Sequence, residues 1–374
     1  MMNPQAVFCP NLECMARGQV GKGNISIHSE VEQRYSCAAC DKTFATTKGT
    51  IFYRLKTSPE TVMLVLVLLA HGCPVQAIVV AFGFDERTVK SWWDKAGGHC
   101  QQVHEHLVGQ SQLELGQVQA DEIKAKLQGG VIWVAMALMV STRLWLGGEI
   151  SPHRDKALIE ALVARVRAMA LCRPVLIAVD GLPSYVGAFY RAFRSKLPRQ
   201  GQLGRAKLRA WSELNLVQVV KQRSQGKLTI TRRIVQGCAE QVTALITASQ
   251  GGGSINTAFI ERLNATFRQR LTALHRRTRT LVRQPETLQA GLYILGCVYN
   301  FCTYHDSLRV PFYLVNGGCR WLQRTPAIAA GLTDHRWTFE ELFLFKVPPP
   351  GWTPPKRRGR PAKETLALIE QWSS

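Results

Sequence analysis

The spacing of hydrophobic and polar residues changes character several times along the chain. Ile25 to Tyr35 (ISIHSEVEQRY) alternates closely enough to predict one arm of a β-hairpin. The greasiest stretch, Val62 to Phe84, is broken by His71, Gly72, Pro74 and Gln76. A membrane-spanning helix needs about 20 mostly apolar residues in a row, so this stretch predicts two core helices and no span. Ser58-Pro59-Glu60 reads as an N-cap, a proline at the first helical position and an acid in the first turn, opening a helix that runs to Ala70. A second short helix is predicted over Pro74 to Ala81. Gly83 then makes a turn, and Asp85 caps a third helix from Glu86 to Lys95. From Leu115 the pattern becomes that of strands. Gly116 to Ile123 ends in the acids Asp121 and Glu122, and Val131–Val140 and Arg143–Ile150 follow. Lys156 to Ala170 carries Leu158, Leu162, Val163 and Val166 on one helical face. Pro174 to Asp180 is a continuous apolar run closed by an acid, which predicts a parallel strand buried on both faces. Ile260, Leu263, Phe267, Leu271 and Leu274 recur at helical spacing and predict an amphipathic helix bordered by Glu261, Asn264, Ala265, Arg268 and Thr272.

Length and charge narrow the class of protein. The 374 residues suffice for two or three domains, and 46% hydrophobic with 20% charged content excludes a disordered or low-complexity chain. Forty-seven Lys and Arg against 26 acids give a net charge of +21, which calls for a polyanionic partner. The excess is concentrated: between Tyr190 and Pro285 there are 19 basic residues and only Glu213, Glu240 and Glu261. The amino terminus lacks a basic then apolar leader pattern, so export is not expected. The odd count of eleven cysteines fits a reducing, cytoplasmic compartment.

Four of those cysteines are paired in sequence. Cys9 and Cys14 form C-x4-C, Cys37 and Cys40 form C-x2-C, and 22 residues separate the pairs. Two thiolate pairs on short turns can converge on one tetrahedral Zn²⁺, and the aromatic flanks Tyr35 and Phe44 suit a zinc ribbon over residues 1–50. So small a segment has little core of its own, and structural metal would hold it folded. His28 sits between the pairs but is expected to be an exposed strand residue rather than a ligand.

Residues 55–100 have the short helix, glycine turn and polar helix of a helix-turn-helix. Val89 and Trp92 or Trp93 are expected to face the core there, leaving Arg87, Thr88, Lys90 and Ser91 for DNA. In residues 115–312 the order of three strands, a helix and a further strand is that of the ribonuclease-H-like fold. The first and fourth strands are neighbours in that fold, which would bring Asp121 and Asp180 together. Glu261 on its basic helix is the third acid. Three carboxylates on separate elements can hold Mg²⁺ or Mn²⁺ ions against a phosphodiester. Arg262, Arg268, Arg270, Arg276 and Arg277 would meet phosphates. The expected fold class is therefore multidomain α/β: zinc ribbon, helix-turn-helix domain, ribonuclease-H-like catalytic domain and basic tail.

The segment Phe259-Ile-Glu261-Arg-Leu-Asn264-Ala-Thr-Phe-Arg268, followed by Leu274-His-Arg-Arg-Thr278-Arg, resembles the glutamate helix of bacterial insertion-sequence transposases of the DDE class. Asp180-Gly-Leu-Pro-Ser184-Tyr185 is similar to their second-aspartate segment, and Asp121-Glu122 to the first. Tyr299-Asn300 with His305 and Leu308 resembles the segment that closes their catalytic domain. The resemblance spans roughly residues 9 to 312, and the long basic stretch from Arg191 to Gln250 has no residue-by-residue counterpart in it. It implies Asp121, Asp180 and Glu261 as catalytic metal ligands, double-stranded DNA at element ends and target as partner, a homo-oligomer on DNA and a nucleoid-associated bacterial protein without a membrane role. A ribonuclease-H-like nuclease or resolvase would use the same acids, and a transcription regulator would carry them as an inert remnant.

After residues 313–345, which form an extension, the tail 346–374 begins with the Pro-rich linker Pro348 to Pro355. Lys356 to Lys363 follows, with Arg358-Gly-Arg360-Pro at its centre. That strip resembles an AT-hook, whose arginines exploit the negative potential of a narrow A·T minor groove.

Overall fold

The computed structural model describes residues 2–198, 201, 204–313, 317–354 and 361–372. Arg358 and Arg360, with most of the AT-hook-like strip, lie outside the described residues. The fold is mixed α/β, with eleven α-helices and a six-stranded mixed sheet among the described residues. No helix in this set is long and apolar enough to cross a membrane. The chain divides into two units, residues 1–61 with 343–374, and residues 62–342.

In the first unit, β1 (Ile25–Ser29), β2 (Arg34–Cys37) and β3 (Lys42–Ala45) form a three-stranded antiparallel meander, as the alternation over Ile25–Tyr35 predicts for its first hairpin. Its small core contains Cys9, Cys14, Ile25, Tyr35, Cys37 and Phe44, with the Tyr35 and Phe44 rings 5.7 Å apart. The far end of the chain belongs to this unit as well. Trp372 is buried in the same core, Gln19 donates to its carbonyl at 2.7 Å, and Arg17 donates to the carbonyls of Pro350 and Gly351.

Helix α1 (Pro59–Ala70) leads into the second unit, and α2 (Val75–Phe82) and α3 (Glu86–His104) follow. Gly83 takes φ 69° at the end of α2, a left-handed conformation that glycine adopts without strain, and Asp85 caps α3 by accepting from the Arg87 amide at 2.8 Å. Val89 and Trp92 face the core; Arg87 and Ser91 are exposed. Helix α3 continues well beyond Lys95. The pair Gly97-Gly98 looks like a stop, but Ala96, Cys100 and Val103 prolong the buried face, and Gly97 lets the helix lie directly on α8 (Pro285–Cys297).

The sheet runs through β4 (Gly116–Leu127), β5 (Gly130–Met139), β6 (Leu144–Ser151), β7 (Val175–Asp180), β10 (Leu214–Ser224) and β11 (Lys227–Gln236), in the order β11-β10-β7-β4-β5-β6. A short hairpin of β8 (Arg194–Lys196) and β9 (Leu208–Ala210) stands apart. Strands β4, β7 and β10 are parallel; β5, β6 and β11 pair antiparallel with their neighbours. Helices α4 (Lys156–Met169), α5 (Pro183–Ala192), α6 (Ala239–Ala248) and α7 (Ala258–Arg270) accompany the sheet. Every residue of β7 except Asp180 is buried, as its unbroken hydrophobicity predicts. Strand β4 does not end at Ile123. It pairs with β5 as far as Leu127, and Gly129 at φ 85° turns the hairpin. Strands β10 and β11 fall within the long basic stretch and are new elements relative to the sequence pattern.

An added Cβ on Gly97 would lie 2.2 Å from Ala290 Cβ and 2.4 Å from its Cα, whereas one on Gly98 would meet nothing within 4 Å. Alanine gains up to ~1 kcal/mol over glycine in a helix, while overpacking a tight contact loses about 1–3 kcal/mol. Gly97→Ala is therefore expected to lower the urea unfolding midpoint and Gly98→Ala to raise it slightly.

Candidate metal centres and basic surface

Register fixes the main carboxylate site. The last β4–β7 pair is Ala120 with Val179, so Asp121 and Asp180 follow side by side on one face of the sheet. Gln117 and Gln119 share that face, and Gln119 is buried. Its side-chain oxygen accepts from the amides of Phe259 and Ile260, both at 3.0 Å, and its nitrogen donates to Asn256 O at 2.8 Å. The open amides of the first turn of α7 are thus satisfied by the strand that carries Asp121. One turn further on, Asn264 Nδ2 donates to Asp121 Oδ2 at 2.8 Å. Gln119 and Asn264 fix the glutamate helix against β4, and only the register makes their part visible.

The carboxylates of Asp121, Glu122 and Asp180 come within 4.8 Å of one another, close enough to hold a metal ion. Strand alternation alone would turn Glu122 to the face opposite Asp121, away from the other acids. However, β7 stops at Asp180 and pairs with nothing beyond it, and the buried carboxylate of Glu122, beside Tyr185, reaches the cluster. Arg154 fastens it, donating to Glu122 Oε2 at 2.7 Å and to Asp180 Oδ2 at 3.0 Å. Glu261 is not in this tight group. Its carboxylate accepts from Thr257 Oγ1 at 2.8 Å and pairs with Lys221 on β10.

Electrostatics separates the acids. Burial, then the charges of Glu122 and Asp180, push Asp121 up to about 7. Burial also raises Glu122; a hydrogen bond with Tyr185 works against it, Asp180 adds to it and Arg154 opposes it. Burial works upward on Glu261 too, but hydrogen bonds from Lys221 and Thr257 hold it below the usual carboxylate range. Crowded, buried acids of this kind suit a hard cation with oxygen ligands.

The four cysteines form the second centre. Cys9 and Cys40 sulfurs lie 3.8 Å apart, as do those of Cys14 and Cys37, and all four converge within 4.8 Å. Four thiolates at ~2.3 Å from one tetrahedral ion would stand about 3.8 Å from each other. Asn24 Nδ2 donates to Cys37 Sγ at 3.3 Å, a contact suited to a thiolate. Burial raises Cys9 strongly and Cys14 to about 11, so these thiols would lose their protons to a metal and not to neutral water. His28 is exposed and outside the cluster.

The expected basic residues are distributed around α7. Arg262 is exposed, Arg268 and Arg270 are half-buried, and Arg276 and Arg277 are exposed in the loop beyond. Arg87 is exposed on α3, whereas Lys90 is paired with Asp94 on its own helix. The β10–β11 hairpin adds exposed Arg223 and Lys227. No protein-family model matches this sequence, and no curated protein matches it.

Elemental analysis of the purified protein is expected to find one thiolate-bound metal ion per chain, lost in Cys37→Ser and retained in His28→Ala. At the acids, a cation must displace the proton from Asp121. Its affinity for titrated Mg²⁺ should therefore rise as pH passes from 6 to 8, by up to about tenfold per unit below the pKa. Calorimetry should show this slope flattened in Asp121→Asn.

Proposed function

We propose that this chain is a DNA transposase of the DDE class, cutting phosphodiesters at the ends of a mobile element and joining the freed ends to target DNA. The observation that carries this reading is the convergence of Asp121, Glu122 and Asp180 where β7 ends, beside a Glu261-bearing basic helix clamped to the same strand. Three antiparallel strands followed by two parallel ones, β6-β5-β4-β7-β10, support a ribonuclease-H-like catalytic domain. The donor set and spacing of Cys9, Cys14, Cys37 and Cys40 support structural Zn²⁺ in an N-terminal ribbon. The α2–turn–α3 geometry, with Arg87 and Ser91 exposed, supports a helix-turn-helix that recognises element ends.

Asp121 and Asp180 would hold Mg²⁺, with Glu261 as third ligand once its carboxylate leaves Lys221; when bound, the ion activates an attacking oxygen and stabilises the leaving one. The remaining work belongs to the chain. Arg154 orients Asp180 and Glu122 by three hydrogen bonds, two of them to Glu122, and Asn264 orients Asp121. Arg268 of α7 and Arg276 in the loop beyond it lie near Asp121, where phosphates of a bound strand are neutralised and aligned. Attack by water breaks one P–O bond and leaves a 3′-hydroxyl. In the joining step that oxygen forms a new P–O bond to a target phosphodiester, whose own 3′ oxygen departs.

The test is Mg²⁺-dependent nicking and joining on DNA carrying the element's flanks. Removing a metal ligand forfeits several kcal/mol of transition-state stabilisation, so Asp121→Asn, Asp180→Asn and Glu261→Gln should each reduce cleavage by about two to three powers of ten with DNA binding intact. Glu122→Gln should reduce it about tenfold or more, because it weakens the hold of Arg154 on the cluster. Unchanged cleavage in all three ligand variants would remove the DDE reading.

A further inference from the structure

The flank of α7 turned away from the acids carries a different chemistry. Phe259, Arg262 and Arg270 of the helix meet Arg143, Tyr299 and His305 around a cavity of about 190 Å³. That is far above the ~10–15 Å³ a single water requires. No carboxylate lines it, and none of the three arginines forms an ion pair among the described residues. Asp306 follows His305 in the chain but is exposed and does not line the cavity.

Arg143 is the telling member. It is only 7% exposed, and its guanidinium lies 4.0 Å from the centre of the Phe259 ring and donates to Val140 O. It also sits in the β5–β6 turn at φ 58°, a conformation glycine or asparagine adopts with less strain. A strained backbone that places an unpaired cation in the interior is doubly unfavourable, and such positions cluster at ligand sites. Burying a charge without a counter-ion costs several kcal/mol. Burial lowers Arg143, with Tyr299 opposing and the Arg262 charge adding to it, and burial lowers Arg270 as well. An anion entering the cavity would supply the missing counter-charge.

We propose that Arg143, Arg262 and Arg270 form a phosphate-binding pocket, and that its occupant is a phosphate of the nucleic-acid backbone. The planar forks of arginine match a phosphate's oxygens, and Phe259 holds one of those forks in place. The assignment of a backbone phosphate rests on the nucleic-acid reading above; the phosphate chemistry does not. Glu261 and Arg262 are consecutive on α7, so the pocket lies about one helix width, ~10 Å, from the acids. A duplex strand carries a charge every ~3.4 Å along its axis, so a strand with one phosphodiester at the acids has others within reach of the pocket.

The experiment uses the full chain in phosphate-free buffer, with sodium orthophosphate titrated calorimetrically and a duplex followed by fluorescence anisotropy across a salt series. Arg262→Gln and Arg270→Gln are the main variants, since neither side chain is fully buried. Arg143→Lys keeps the charge and loses the fork, and exposed Arg283→Gln is the control. Circular dichroism verifies the fold of each. Orthophosphate binding is expected in the native protein and in Arg283→Gln, and to fall at least tenfold in the three pocket variants. Duplex affinity should fall at least fivefold in Arg270→Gln, with the salt slope reduced by about 0.9 for one lost phosphate contact. Loss of orthophosphate binding with duplex affinity unchanged would overturn the backbone as occupant and assign the pocket to a free phosphate. No orthophosphate binding, with duplex affinities equal to the control's, would overturn the pocket altogether. Neither readout requires cleavage, so both can be repeated in Asp121→Asn, and a failure of the transposase reading leaves the result interpretable.

Discussion

The parallel pairing of β4 with β7 is the constraint on which the candidate site depends. It sets Asp121 beside Asp180, although 58 residues separate them in the chain. At the end of β7 the buried carboxylate of Glu122 joins them. Two or three carboxylates this close repel one another, and burial strengthens the repulsion. The surroundings answer with directed cations and donors: Arg154 across Glu122 and Asp180, Lys221 on Glu261, Asn264 on Asp121.

Helix α7 is held to this sheet by polar contacts as much as by its apolar stripe. Ile260, Leu263 and Phe267 bury the stripe, while Gln119 satisfies amides of the first turn that would otherwise be unpaired inside the protein. A helix fixed in this way presents two chemically different flanks, carboxylate and amide toward the acids and arginine toward the phosphate-sized cavity. The first unit solves a separate problem. It has few apolar side chains, and its core is largely the four thiols, two aromatic rings and a tryptophan from the other end of the chain. A metal bound by those thiols would link the loops around Cys9 and Cys40 more firmly than burial of so small a core.

Much of this was legible in the sequence, and the parts that were not share a cause. Period and punctuation give the elements: the alternation of β1, the Ser58-Pro59 start of α1, the Gly83 turn, the unbroken apolar β7 and the amphipathic α7. Spacing gives the cysteine cluster, because thiols in C-x4-C and C-x2-C pairs have few other arrangements in which all four meet. The strand–helix–strand order is enough to bring Asp121 and Asp180 together. Where local signals mislead, tertiary contact is the reason. Gly97-Gly98 looks like the end of a helix, but the lack of a side chain at Gly97 is what allows α3 to lie against Ala290.

The sequence by itself determined which residues could do chemistry and which elements carry them, since both follow from side-chain type and local periodicity. Only the tertiary structure decided how those groups are paired. Glu122 joins the acids where a neighbouring strand ends, and Gln119 becomes a helix clamp because of its register. Arg143 becomes an interior cation because a turn 116 residues before Phe259 folds against it. Each depends on a strand edge, a register or a contact made by distant chain, and no local pattern of hydrophobic and polar residues records those.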